Sequence, residues 1–241
     1  MYLRKKYYFK DSIEVEENHS GRYGAPGERR TKRSKPTPEQ IEKQNQKNKE
    51  KKIRRLIKKN FGENDYWLTF TYRAKERPPD METAKQDITK FLRKLKREYK
   101  KRDSELKYIV CAEIGSRGGI HHHMIINRIE GTDLIVKKSW DKGGVNQKLM
   151  YEEGGFRELA EYIAKKTAED NAIREKWYSR SRNLIIPEPE RKVMSGRTWR
   201  KEPKPPKGYY LDKESLVEGI NPVTNYKYRS YTFVKMVRRR E

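Results

Sequence analysis

The sequence predicts an α+β protein: a single antiparallel sheet backed by helices, with a basic helix before it and an irregular extension after it. Three observations carry this prediction. Short segments alternate apolar and polar residues with period two, longer ones repeat apolar residues at steps of three and four, and the two kinds interleave between residues 63 and 168. The expected organisation is a basic N-terminal arm and helix over 1–62, a compact domain over 63–168 and a basic, aromatic extension over 169–241.

Residues 1–36 mix Gly, Pro and basic residues ("GRYGAPGERRTKRSKP") and read as an arm with little fixed structure. "TPEQ" opens a helix, with Thr37 as N-cap, Pro38 as first helical residue and Gln40 as the reciprocal partner of a capping box. The helix runs to about Asn60 and closes on Arg54, Arg55, Lys58 and Lys59, with only Ile53, Leu56, Ile57 and Phe61 as a narrow apolar stripe. Such a face is either solvated surface or a contact for phosphates.

"YWLTFTYR" alternates Leu68, Phe70 and Tyr72 with Thr69 and Thr71 and predicts a strand. After "PPD", with Asp80 as N-cap, Ala84, Ile88, Phe91, Leu92, Leu95 and Tyr99 mark an amphipathic helix. "LKYIVCAEI" is a second strand, "GSRGG" a tight turn, and "IHHHMIIN" a third strand antiparallel to the second. A strand at "GGVNQKLM" and a helix at "GFRELAEYIAKKTAED" complete a β-α-β-β-α-β-like order. Beyond Asp170, "WYSRSRNLIIPEPE" and "RKEPKPPKGYYLD" are Pro-punctuated, and "NYKYRSYTFVKM" predicts a terminal strand or hairpin. Its interleaved rings and cations suit either single-stranded nucleic acid or an ordinary sheet edge.

Across 241 residues, 59 Lys and Arg stand against 35 Asp and Glu, a net charge of +24 that favours a polyanionic partner, nucleic acid foremost. One cysteine, Cys111, excludes an intramolecular disulfide. The opening "MYLRKKYYFKDS" lacks an apolar h-region, and no apolar run approaches the ~20 residues of a membrane span. The expectation is a cytoplasmic protein without a membrane partner.

Three of the four histidines stand in a row. On a strand, His121 and His123 share one face and His122 takes the other. The neighbouring strand brings Glu113 across the turn. Two imidazoles and a carboxylate with open positions suit a divalent cation that also holds a phosphate oxygen, Mg or Mn. A structural zinc site would need four ligands, and only Cys111 and His19 remain to supply them. The spacing from Gly115 to His121 and His123 is that of a first cupin motif, but the acid comes late, at Glu130, and no later histidine follows. On the last predicted helix, Phe156, Leu159, Ala160 and Ile163 form the core face. Tyr162 falls about 100° from Ile163 at its edge, and Lys165 and Lys166 lie three and four residues on.

"YWLTFTYR", "AEIGSRGGIHHHMIIN" and "EYIAKKT", in that order, resemble the three motifs of the HUH endonucleases, most closely the rolling-circle replication-associated (Rep) proteins of bacterial plasmids and phages. The resemblance covers about residues 63–168. It implies a ferredoxin- or RRM-like palm, His121 and His123 as metal ligands with Glu113 as the third, and Tyr162 as a nucleophile assisted by Lys165 or Lys166. The implied reaction is a site-specific nick in single-stranded or origin DNA that leaves a 5′-phosphotyrosine and a free 3′-hydroxyl, with later rejoining. Many relatives carry a second tyrosine after the lysine, where this chain has Lys166, so a two-tyrosine mechanism is not implied. At pKa ~10 a phenol is only about one part in a thousand ionised at pH 7, a deficit of ~4 kcal/mol that a nearby lysine would lower. The cations placed for DNA are Arg54, Arg55, Lys58, Lys59 and Arg117 in the turn. No G-x-x-x-x-G-K-[ST] appears, so the implied partners include a host helicase as well as a DNA polymerase. A relaxase or single-tyrosine transposase would use the same residues. A non-catalytic RRM-like binding module would leave Tyr162 and the His121/His123 face on opposite sides.

Overall fold

Alternation along ten strands builds two antiparallel sheets of five strands each, where the sequence predicts one. The computed structural model describes residues 1–19, 35–115, 118–150, 156–164 and 177–236. In chain order the strands are β1 (Tyr2–Tyr8), β2 (Ser12–Asn18), β3 (Tyr66–Phe70), β4 (Tyr108–Ile114), β5 (Ile120–Ile126), β6 (Val145–Leu149), β7 (Trp177–Arg180), β8 (Glu190–Met194), β9 (Tyr209–Ile220) and β10 (Lys227–Lys235). The helices are α1 (Pro38–Asn60), α2 (Met81–Lys100), α3 (Thr132–Ser139) and α4 (Arg157–Ala164). The chain divides into two compact units, one of Met1–Asn48 with Ile186–Glu241 and one of Lys49–Ile185.

In the Lys49–Ile185 unit the sheet order is β6-β3-β5-β4-β7, so the histidine strand lies at its centre. Alternate residues feed two cores. Leu68, Phe70, Val110, Met124 and Ile126 pack against Ile88, Phe91 and Leu95 of α2 and against Val136 and Trp140, at and just after α3. Ile109, Cys111 and Ile125 pack on the other face against Leu56 and Ile57 of α1 and Ala160 and Ile163 of α4. A slip of one residue would exchange the two sets, so the register is fixed by burial on both sides. The caps form as the sequence predicts: Thr37 N donates to Gln40 Oε1 at 3.0 Å, Gln40 N to Thr37 Oγ1 at 3.3 Å, and Thr83 N to Asp80 Oδ1 at 2.7 Å. Close approach decides one glycine: a Cβ on Gly143 would stand 2.0 Å from Thr71 O, where the chain entering β6 meets the end of β3. Two elements were not predicted. α3 starts at Gly131, in the left-handed region with φ 69°, and β7 adds an edge strand to β4 from the Pro-punctuated stretch. Among the described residues no helix is long and apolar enough to cross a membrane.

The other unit corrects the reading of residues 1–36 as a loose arm and of the C-terminal stretch as irregular. β1 and β2 lie within a sheet of order β8-β1-β2-β10-β9. Its core is small, with Ile13, Val15, Tyr231 and Phe233 buried. Beside it a row of alternating charge crosses all five strands through the registered pairs Lys192–Arg4, Arg4–Glu17, Glu17–Arg229 and Arg229–Glu218. Glu17 and Arg229 are 0% and 1% exposed. Arg229 donates to Glu17 Oε2 through Nη2 at 2.6 Å and Nε at 2.9 Å, while Arg4 Nε donates to Glu17 Oε1 at 2.7 Å. Arg229 Nη1 also donates to Arg200 O at 2.6 Å, tying the segment after β8 to the sheet. These strands escape an apolar pattern search because paired charge, not hydrophobic alternation, fills part of their buried face. The rings and cations of β10 are likewise core, with Tyr231 and Phe233 each 5% exposed. Arg229→Met strips Glu17 of its main partner and should cost about 3–5 kcal/mol in denaturant unfolding of this unit. A change below about 1 kcal/mol would show that Arg4 alone satisfies the carboxylate.

Candidate active site

The antiparallel pairing of β4 and β5 sets Glu113 opposite His121, Ala112 opposite His122 and Cys111 opposite His123. Opposed residues share a face, so Glu113, His121 and His123 all stand on the side covered by α1 and α4. The turn between the strands closes through Gly115 N to Gly119 O at 2.8 Å, with Gly118 at φ 74°. The ring of His121 lies against this turn, its Nε2 3.3 Å from the place a Cβ on Gly115 would occupy. His122 faces the opposite core and is 0% exposed, its Nε2 2.8 Å from the Tyr72 hydroxyl. Burial first, then the neighbouring imidazoles of His123 and His121, push its pKa down to about 3, so it remains a neutral packing residue.

On α4 the inward face holds Ala160, Ile163 and Ala164, and Tyr162 stands half-buried at its edge. From there its hydroxyl donates to the Glu113 carboxylate and lies 2.6 Å from His123 Nε2. His123 Nε2 and Glu113 Oε1 are themselves 3.4 Å apart. Burial, the hydrogen bond to Glu113 and the charge of that carboxylate, in this order, raise the Tyr162 pKa well above that of a free phenol. The side chain is therefore held protonated by its surroundings.

Two further residues complete the arrangement, and neither was predicted. Trp67 stacks on His123 with ring centroids 5.4 Å apart and planes 14° from parallel, and meets Tyr162 edge-on at 5.9 Å. Thr69 Oγ1 lies 3.2 Å from His123 Nδ1. A hydroxyl both donates and accepts, so Thr69 can serve His123 with either ring nitrogen protonated. Their signal was in the alternation of β3: with Leu68 and Phe70 turned toward α2, Trp67 and Thr69 must face the other way. β3 pairs with β5 so that Thr69 opposes His123.

The fit to a divalent cation rests on donor chemistry. An imidazole nitrogen and a carboxylate oxygen 3.4 Å apart can both reach one ion at about 2.0–2.2 Å, and His121 is on the same face. Among the described residues no group of three His, Cys, Asp or Glu side chains already surrounds a common point. His121, turned toward the glycine turn, is the donor that would move.

Of the cations expected to meet DNA, Arg55 is buried at 8% exposure, Arg54 and Lys58 are half-buried, and Lys59 is exposed. Arg117, Lys165, Lys166 and Tyr151 lie outside the described residues. Residues 65–171 match the family model of the Replication-associated protein ORF2 group, a span that contains all the site residues named above. No curated protein and no solved structure matches the chain.

Thr69→Val removes the hydroxyl that orients His123 and keeps the shape of the side chain. It should weaken Mn binding about 10–100-fold in calorimetric titration, with Thr69→Ser near wild type. Equal affinities for the Val and wild-type proteins would show that the ring is held by Trp67 alone.

Proposed function

We propose that this chain is a rolling-circle replication initiator that nicks single-stranded DNA with Tyr162. The observation that carries the reading is the convergence of Tyr162, His123 and Glu113 within one hydrogen-bonded group. A binding-only module on such a sheet has no need to bury a tyrosine hydroxyl against an imidazole and a carboxylate. The match of residues 65–171 to a replication-associated family supports the same reading, as does the net charge of +24.

The chemistry follows from the residues. Tyr162 Oη attacks the phosphorus of one phosphodiester; the new bond is the 5′-phosphotyrosine, and the bond to the 3′ oxygen breaks. The leaving oxygen takes up a proton and becomes the 3′-hydroxyl that primes a polymerase. The phenolic proton departs along a hydrogen bond already present, to Glu113 or to His123 Nε2. A divalent cation held by His121, His123 and Glu113 would polarise the scissile phosphate and offset the carboxylate charge that keeps Tyr162 protonated. Trp67 and Thr69 fix the His123 ring, and the helical frame of α4 holds the attacking oxygen over it. Because one phosphodiester is exchanged for another, the 3′-hydroxyl can later attack the phosphotyrosine and rejoin a strand without ATP.

Substitution separates the chemical steps from binding. Tyr162→Phe should bind single-stranded origin DNA within a few-fold of wild type and give neither cleavage nor a covalent protein–DNA band. His121→Ala and His123→Ala should each lower Mn-dependent cleavage by at least 100-fold, whereas His122→Ala, measured below its unfolding temperature, should still cleave. Undiminished cleavage by His123→Ala would remove the proposed ligand set, and a covalent band from Tyr162→Phe would remove the nucleophile.

A further inference from the structure

On the face of the sheet opposite Tyr162, α2 presents a second charged surface. Its buried stripe, Ala84, Ile88, Phe91, Leu92, Leu95 and Tyr99, faces the sheet. Between Glu82 and Arg102 the sequence holds nine Lys and Arg against three Asp and Glu. Lys90, Arg93, Lys96, Arg97 and Lys100 are exposed and make no ion pair with any described residue. At about 100° per residue, Lys90, Arg93, Arg97 and Lys100 fall in one stripe diametrically opposite the core stripe. They extend along roughly 15 Å of helix axis. A DNA strand carries a phosphate about every 3.4 Å of duplex axis, so the stripe spans about four phosphates.

A groove beside the stripe is lined by Lys90, Arg93, Lys94 and Arg97 with Asp141 and Lys142. Its exposed acid is already engaged, with Asp141 2.7 Å from Lys94 Nζ. Rings are absent from its surface: Phe91 and Trp140 lie beneath at 2% and 4% exposure, and Tyr99 is 0% exposed. A single strand binds through phosphates and through bases stacked on exposed rings, and α2 offers only the first. A duplex hides its bases and presents a straight, stiff line of phosphates, the shape and charge that a straight cationic helix complements.

We infer that the outward face of α2 binds the backbone of double-stranded DNA, on the side of the sheet away from Tyr162. The proposal rests on the nicking reading only for its setting, since duplex flanks any strand opened for cleavage. The test compares the full chain with a variant carrying Lys90→Gln, Arg93→Gln, Arg97→Gln and Lys100→Gln. A control variant carries Lys201→Gln, Lys204→Gln, Lys207→Gln and Lys213→Gln, which removes the same charge from exposed positions of the other unit. Fluorescence anisotropy on a blunt duplex and on a single strand of equal length is measured over a salt series. The α2 variant should bind the duplex at least 10-fold more weakly at 100–150 mM salt, with a log–log salt slope shallower by roughly three to four. Single-strand affinity should stay within about twofold, and the control should lose less than threefold on either DNA. If the quadruple variant fails to fold, Arg93→Gln with Arg97→Gln should give about half the slope change. A duplex loss no greater than the control's, or an equal loss on the single strand, overturns the proposal. Covalent adduct formation by the wild-type chain, scored in parallel, separates the two readings. No adduct with an intact α2 effect sinks nicking alone, and an adduct with no α2 effect sinks this inference alone.

Discussion

A strand reverses its side-chain direction at every residue, and β5 uses this reversal on three consecutive histidines. With β5 central and flanked by β3 and β4, His122 must enter the core beneath α2 while His121 and His123 must leave it toward α4. The same reversal in β3 turns Leu68 and Phe70 into the first core and Trp67 and Thr69 toward His123. In β4 it places Glu113 beside the imidazoles. The apolar packing on both faces therefore does more than stabilise the sheet. It fixes the register, and the register selects which polar groups meet Tyr162.

The meeting has an electrostatic consequence. A phenol buried against a carboxylate is a poor nucleophile, because burial and the Glu113 charge both favour the protonated form. Yet the same hydrogen bonds place its proton on acceptors and its oxygen at one point. Positive charge brought to Glu113 and His123 reverses the penalty at the place where the attack occurs. Lone Tyr162 is thus quiet, and competence depends on what the carboxylate and the imidazole hold.

The β-α-β-β core, the three-histidine strand and the edge position of Tyr162 were legible because each rests on a periodicity read along a single segment. The helix caps were legible for the same reason. What escaped depends on pairing between distant segments. β1 and β2 are ordered by Glu17 meeting Arg229, residues more than two hundred positions apart, and no local pattern marks their charges as buried. β7 exists because β4 has a free edge for it. Trp67 and Thr69 follow from alternation once β3 is known to lie next to β5. Arg55 shows the converse: a residue in a basic run that local charge marks as exposed is buried by the way α1 packs.

The most direct measurement is the chemical identity of the residue that carries DNA after cleavage. The wild-type chain is incubated with single-stranded origin DNA and Mn, digested with nuclease and trypsin, and its nucleotide-bearing peptide sequenced by mass spectrometry. Attack by Tyr162 predicts the modification on the peptide Glu158–Lys165, which contains no other tyrosine. A nucleotide on Tyr151 or any other residue would contradict the assignment of the site, and no tyrosine adduct on a DNA that the chain demonstrably cleaves would contradict the mechanism.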